Sequence, residues 1–167
     1  TLAETAGGSL HIGVNLPYNI STPLLFHLAG FAGRVFDMHF MVQKEVVERM
    51  VAMPGTSDFG RLSVMLQYRF VMDWLLDVPP ESLDPAPKVD SAVVRLIPRP
   101  AAELTVKNEE KFAALVSAAF AQRRKMLRNN LKAILSDGDF EKLGIAPTAR
   151  AEQLSLEDYI RISNSLQ

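Results

Sequence analysis

The amino-acid sequence predicts an α/β fold: a sheet with an antiparallel last strand, followed by a small all-helical domain. Three observations carry that prediction. Four short apolar or β-rich runs, His11–Val14, Val35–Val42, Phe70–Val78 and Ser91–Pro98, are spread over the first hundred residues. Helical patterns fill the first two gaps, whereas the third holds Pro79-Pro80, Pro85 and Pro87 and no such pattern. After Pro98-Arg99-Pro100 the patterning is helical throughout.

Each element has a local reason. Ser21-Thr22-Pro23 ahead of Leu24, Leu25, Phe26 and Leu28 opens a helix, because proline in a first turn forfeits an N–H that would be unpaired anyway; Gly30 supplies its stop. Gln43–Ala52 places Val46, Val47, Met50 and Val51 on one face. Pro54-Gly55-Thr56-Ser57-Asp58 breaks it, and Leu62–Tyr68 forms another short helix. Strand–helix–strand repeated twice implies right-handed parallel crossovers. The helix-free link to the last run turns that strand back, giving a sheet with one antiparallel edge. Beyond a boundary at 98–105, Asn108 caps a helix over Glu109–Phe120 and a second helix covers Arg124–Leu135. Ser155-Leu156-Glu157-Asp158 opens a third through Tyr159, Ile160 and Ile162. The predicted domains are residues 1–100 and 101–167.

Composition narrows the chemistry. Apolar residues make up 48% and charged residues 22% of the 167, an ordinary globular balance. With no cysteine, disulfide frameworks, thiolate zinc sites, iron–sulfur ligation and cysteine nucleophiles are excluded. His11, His27 and His39 are too dispersed for a metal set, so no metal is expected. No run approaches the ~18 apolar residues of a membrane span, and a cytoplasmic location is the expectation. The net charge of −1 conceals asymmetry: residues 1–87 hold 5 Lys/Arg against 9 Asp/Glu, and residues 88–167 hold 13 against 10.

Asn15-Leu16-Pro17-Tyr18 follows the first strand directly. In an open α/β sheet, ligands bind outside the carboxyl ends of the strands. The four residues suit a planar base bearing an exocyclic amine: Asn15 offers an acceptor, Pro17 turns backbone carbonyls outward, and Tyr18 gives a stacking face. An isolated motif of this kind also fits a simple strand-to-helix turn. Gln122–Lys132 is the other candidate, with Arg123, Arg124, Lys125, Arg128 and Lys132 and no acid in eleven residues. On a helix, Arg124, Arg128 and Lys132 fall along one face and suit phosphate contacts; a merely solvated face has the same composition.

Taken together, Asn15–Ser21 (NLPYNIS), Met41–Val46 (MVQKEV), Gly60–Val64 (GRLSV), Pro87–Val94 (PKVDSAVV) and Gln122–Lys125 (QRRK) resemble, in order and spacing, the motifs of the ribosomal RNA adenine dimethyltransferases, the family of KsgA and its erythromycin-resistance relatives. PKVDSAVV with QRRK and RNNL resembles the small-subunit branch. The resemblance implies a Rossmann-like methyltransferase sheet and S-adenosylmethionine-dependent dimethylation of two adjacent adenosines near the 3′ end of 16S rRNA. The implied partner is the immature 30S subunit, met by a monomeric enzyme. It assigns Asn15 and the carbonyls of Leu16 and Pro17 to the target amine and Tyr18 to the flipped base. Asn15 and Pro17 also approach the cofactor. Leu83, Lys88 and the basic run are implied in RNA contact.

Two departures stand out. Leu83 occupies a position where the family commonly has phenylalanine, and Gly13-Val14 inverts the usual order before the motif. The glycine-rich and acidic cofactor motifs that should come first do not occur, a difference of roughly 90 residues at ~30 per crossover unit. The expectation is therefore a C-terminal portion, inactive by itself. The alternatives are a non-catalytic rRNA-binding assembly module and a 23S rRNA methyltransferase conferring macrolide resistance.

Overall fold

A computed structural model describes residues 10–15, 27 and 35–166. Among the described residues, four strands form one sheet: β1 Leu10–Asn15, β2 Val35–Gln43, β3 Phe70–Val78 and β4 Ser91–Pro98. Two helices lie between β2 and β3, α1 Lys44–Val51 and α2 Arg61–Arg69. Four more follow the sheet: α3 Glu109–Ala119, α4 Leu127–Asn130, α5 Asp137–Leu143 and α6 Leu156–Ser165. The helix expected after Ser21 lies outside the described residues.

The described strands run β1-β2-β4-β3, with β1 and β2 parallel and β4 antiparallel to both of its neighbours. β2 and β3 therefore point the same way, as their helical crossover requires. The reversed strand is not the edge, however, which corrects the sequence reading. β4 inserts between β2 and β3 because its alternate residues Ala92, Val94 and Leu96 are fully buried. They sit opposite Val42, Phe40 and Met38, making one apolar face. α1 covers it with Val46, Val47 and Met50. β3 suits the edge instead: it exposes Val71, Leu75 and Leu76, bulges between Trp74 and Leu76, and carries Asp73 and Asp77.

The chain divides into two compact units, residues 1–51 with 66–104 and residues 52–65 with 105–167. Residues 52–65, grouped with the sheet in the sequence reading, thus cluster with the helices. Within this second unit, Phe59 meets Phe120 edge-on at 6.3 Å, and Phe120 lies 5.7 Å from the buried Tyr159 ring. The Tyr159 hydroxyl donates to the Ala151 carbonyl at 2.6 Å. Burial pushes its pKa far above the usual phenol value, with the nearby carboxylates of Glu152 and Asp158 acting in the same direction.

The expected caps at Asn108 and Ser155 are present. The Asn108 side chain accepts from the Lys111 N–H, and Ser155 forms a reciprocal box with Asp158. The expected helix over Arg124–Leu135 does not form. Residues 121–126 are turns, α4 spans only Leu127–Asn130, and the chain turns again over 131–134. Three bonds explain the break. The Leu127 N–H donates to the Ala149 carbonyl, and the Asn130 amide donates to the carbonyls of Ala119 and Gln122, which lie at and just beyond the end of α3. Those carbonyls gain a side-chain donor of the kind that helix ends need.

Candidate nucleic-acid interface

Asn15 ends β1, paired with Met41 of β2. Met41 faces Val93 of β4, and Val93 faces Leu76 of β3. Val78 and Ser91 close the β3–β4 pair, so the loop of residues 79–90 leaves the sheet at the end where β1 stops. The sheet unit thereby brings Asn15 and the loop bearing Leu83 and Lys88 to its carboxyl end, the place where ligands bind in open α/β sheets. Leu16, Pro17 and Tyr18 lie outside the described residues.

The loop is ordered by its own backbone. Pro80–Ser82 forms a short tight turn, and the Leu83 N–H donates to the Pro80 carbonyl at 3.1 Å. Leu83 is half-buried and Lys88 exposed. The Asp84–Pro85 peptide is cis. Near the same sheet end, the Trp74 indole donates to Asp77 at 2.7 Å, and the Lys44 ammonium lies 3.4 Å from Asp77 and 5.9 Å from the Trp74 ring centre. The period-2 register of β3 could not reveal this cluster, because a bulge shifts it there.

The basic run belongs to the helical unit and is mixed in character. Arg123 directs its Nη2 to the carbonyls of Ser57 and Phe59, at 2.7 Å each. Arg124, Lys125, Arg128 and Lys132 are exposed, and among the described residues none of them makes an ion pair. Because the turns interrupt the expected helix, these cations do not share one regular helical face. They form instead an exposed basic stretch across two turns and one short helix. Among the described residues, no three His, Asp or Glu side chains could hold a metal ion, and no helix is long and apolar enough to cross a membrane.

Comparison with known proteins decides what these parts belong to. The family described as ribosomal RNA adenine dimethylase matches residues 4–167. The chain belongs to the ribosomal RNA adenine dimethylase family. It is 65% identical over 160 residues to a protein of Dechloromonas aromatica named ribosomal RNA small subunit methyltransferase A, covering 96% of this chain and 63% of that protein. A Thiobacillus denitrificans protein of the same name is 64% identical over 157 residues, covering 94% and 62%. The chain thus spans about three fifths of the length of these curated relatives.

Solved structures agree on the fold of this dimethylase family member. A Plasmodium falciparum dimethyladenosine transferase superposes with a TM-score of 0.76 at 24% identity, covering 92% of this chain and 66% of that one. The 23S rRNA methyltransferase ErmE gives 0.67 at 22%, covering 95% and 65%. At such identities the likeness shows the fold alone. The sheet is part of the Rossmann-like methyltransferase fold, with its last strand antiparallel.

Proposed function

We propose that the protein carrying this chain transfers methyl groups from S-adenosylmethionine to two adjacent adenosines near the 3′ end of 16S rRNA, in the cytoplasm, as a monomer acting on the immature 30S subunit. The observation that carries the reading is the 65% identity to a protein named ribosomal RNA small subunit methyltransferase A. Asn15 at the carboxyl end of β1 supports it, since a target base and a cofactor both approach an open sheet from that end. That placement fits S-adenosylmethionine, whose sulfonium supplies an electrophilic methyl. Asn15 and Pro17 would lie nearest to it.

In this reading the chain positions its substrate. Asn15 and the carbonyls of Leu16 and Pro17 accept from the adenine amine, which aims the nitrogen lone pair outward. Tyr18 stacks on the flipped base, and Leu83 gives apolar contact on its other face. When bound, S-adenosylmethionine would supply the methyl to that lone pair and keep the electrons of its carbon–sulfur bond, while the amine proton would leave to solvent. Holding reactants in line supplies the acceleration, so no strong base is required. Lys88 on the sheet unit, and Arg124, Lys125, Arg128 and Lys132 on the helical unit, hold phosphates; Arg123 lies within the latter stretch.

Incubating the full-length protein with tritiated S-adenosylmethionine and unmethylated 30S particles tests this. Label should appear in 16S rRNA as dimethyladenosine. Leu83, which has no π-face to complete a base sandwich, favours a second reading, a non-catalytic module that aids assembly. Such a module would retain 30S particles on a filter without labelling them.

A further inference from the structure

Arg123 differs from its basic neighbours in what it already holds. A guanidinium grips a phosphate best through two parallel N–H bonds. The two forks available, Nη1 with Nη2 and Nε with Nη2, share Nη2. Arg95 uses the second pair of donors: its Nε and Nη2 converge on one Asp37 oxygen, at 3.1 and 3.0 Å. In Arg123 the two Nη2 hydrogens are spent on the Ser57 and Phe59 carbonyls, at 2.7 Å each. Neither fork is left for a phosphate.

What those bonds secure is a loop with an exposed outer run, Met53–Asp58, and a buried end, Phe59. The loop is tied at other points too. The Gly55 N–H donates to the Glu152 carbonyl at 2.7 Å, the Thr56 hydroxyl to the Met53 carbonyl at 2.7 Å, and the Gly60 N–H to the Ser63 hydroxyl at 3.1 Å. Gly55 takes a φ of +89°, a conformation open to glycine. Within the helical unit, the Arg123 side chain joins this loop to the 121–126 turn. Anchoring its guanidinium also pins its own turn, and with it the backbone that carries Arg124 and Lys125.

We infer that Arg123 serves RNA binding as a positioning residue, bracing the 57–59 backbone against the 121–126 turn, and that its neighbours make the phosphate contacts. A braced turn lowers the ordering cost that flexible cationic side chains meet on binding. The inference rests on the proposed RNA-contacting role of the basic stretch and assigns Arg123 a different part in it.

The test pairs amide hydrogen exchange with filter binding to unmethylated 30S particles across a salt titration, using R123K, R123Q, R124Q and R128Q. Lysine keeps the charge but lacks the planar two-hydrogen Nη2. R123K should speed exchange at residues 55–60 and 122–126 only, and weaken binding about tenfold, a loss equal to roughly one hydrogen bond, with the salt slope unchanged. R124Q should lower that slope by about one phosphate contact and leave exchange alone. Wild-type affinity in R123K, or a slope loss in R123Q matching that of R124Q, would overturn the inference. Unchanged binding in both R124Q and R128Q would instead overturn the RNA reading of the stretch. Faster exchange confined to the two segments in R123K would even then uphold the brace.

Discussion

Asp37 places a carboxylate inside a strand, with its side chain 5% exposed, and Arg95 meets it from β4 with two N–H groups on one oxygen. Removing one partner of such a pair strands the other charge, at a cost of several kcal/mol when both are buried. Arg95 is 34% exposed, so water would screen part of the loss. Arg95→Met should therefore destabilise the protein by about 2 kcal/mol in urea unfolding. An unchanged midpoint would show that the pair contributes nothing. At the proposed base-binding loop, Leu83→Phe in the full-length enzyme should raise methyl transfer to 30S particles by about fivefold, the worth of one added stacking face. A rate at or below the parent's would remove Leu83 from the site. Leu83 and Lys88 could be singled out in the sequence because motifs flank them. The Asp37–Arg95 pair could not, since it links residues 58 apart through a register that only the sheet defines.

Helix ends show how far local pattern reaches. Asn108 and Ser155 are legible because a cap needs only residues within one turn. Ser136, Asp139 and Gly144 carried the same signal for α5, with a reciprocal box at its start and Gly144 at φ +69° at its end. Gly138 interrupts its first turn and hides the helical pattern that the Ser155 segment, with the same serine–aspartate box, displays. The expected 124–135 helix failed for a different reason. Its apolar spacing was sound, but Asn130 and Leu127 spend their donors on Ala119, Gln122 and Ala149, bonds between turns that no local window contains. The Ser155 box also sets a pH dependence. Burial pushes the Asp158 carboxyl up, but hydrogen bonds from the Ser155 N–H, from Arg161 and from the Ser155 hydroxyl outweigh it and hold the pKa below 3.8. A depressed carboxyl stabilises the fold above its unfolded value and loses that contribution as pH falls below it. Circular dichroism should show α6 weakening below about pH 4, and Asp158→Asn should flatten that response. Ser155→Ala should cost about 1 kcal/mol at neutral pH. A pH profile in Asp158→Asn identical to the parent's would count against the box as its source.

At the scale of the whole molecule, unlike charge and unlike tasks are divided along the chain. The acidic first half supplies β1, β2, β3 and most of the carboxyl-end loop, and the basic second half supplies β4 and the exposed cations of the helical unit. The fold class was legible because periodicity distinguishes strand from helix over whole elements. The position of β4 was not, since a hairpin strand can pair on either side and burial decides which. Charge reversal at Arg124 and Arg128 should weaken 30S binding and lower its salt slope by about two phosphate contacts, read by filter retention between low and high salt. An unaltered slope would exclude that stretch from the interface. The central claim is the transfer reaction itself. Its most direct measurement is tritium incorporation from labelled S-adenosylmethionine into unmethylated 30S particles by the full-length protein, with the labelled nucleoside identified after digestion. The account predicts label in 16S rRNA, recovered as dimethyladenosine. Particles that are bound but unlabelled, or label recovered only when 23S rRNA is supplied, would contradict it.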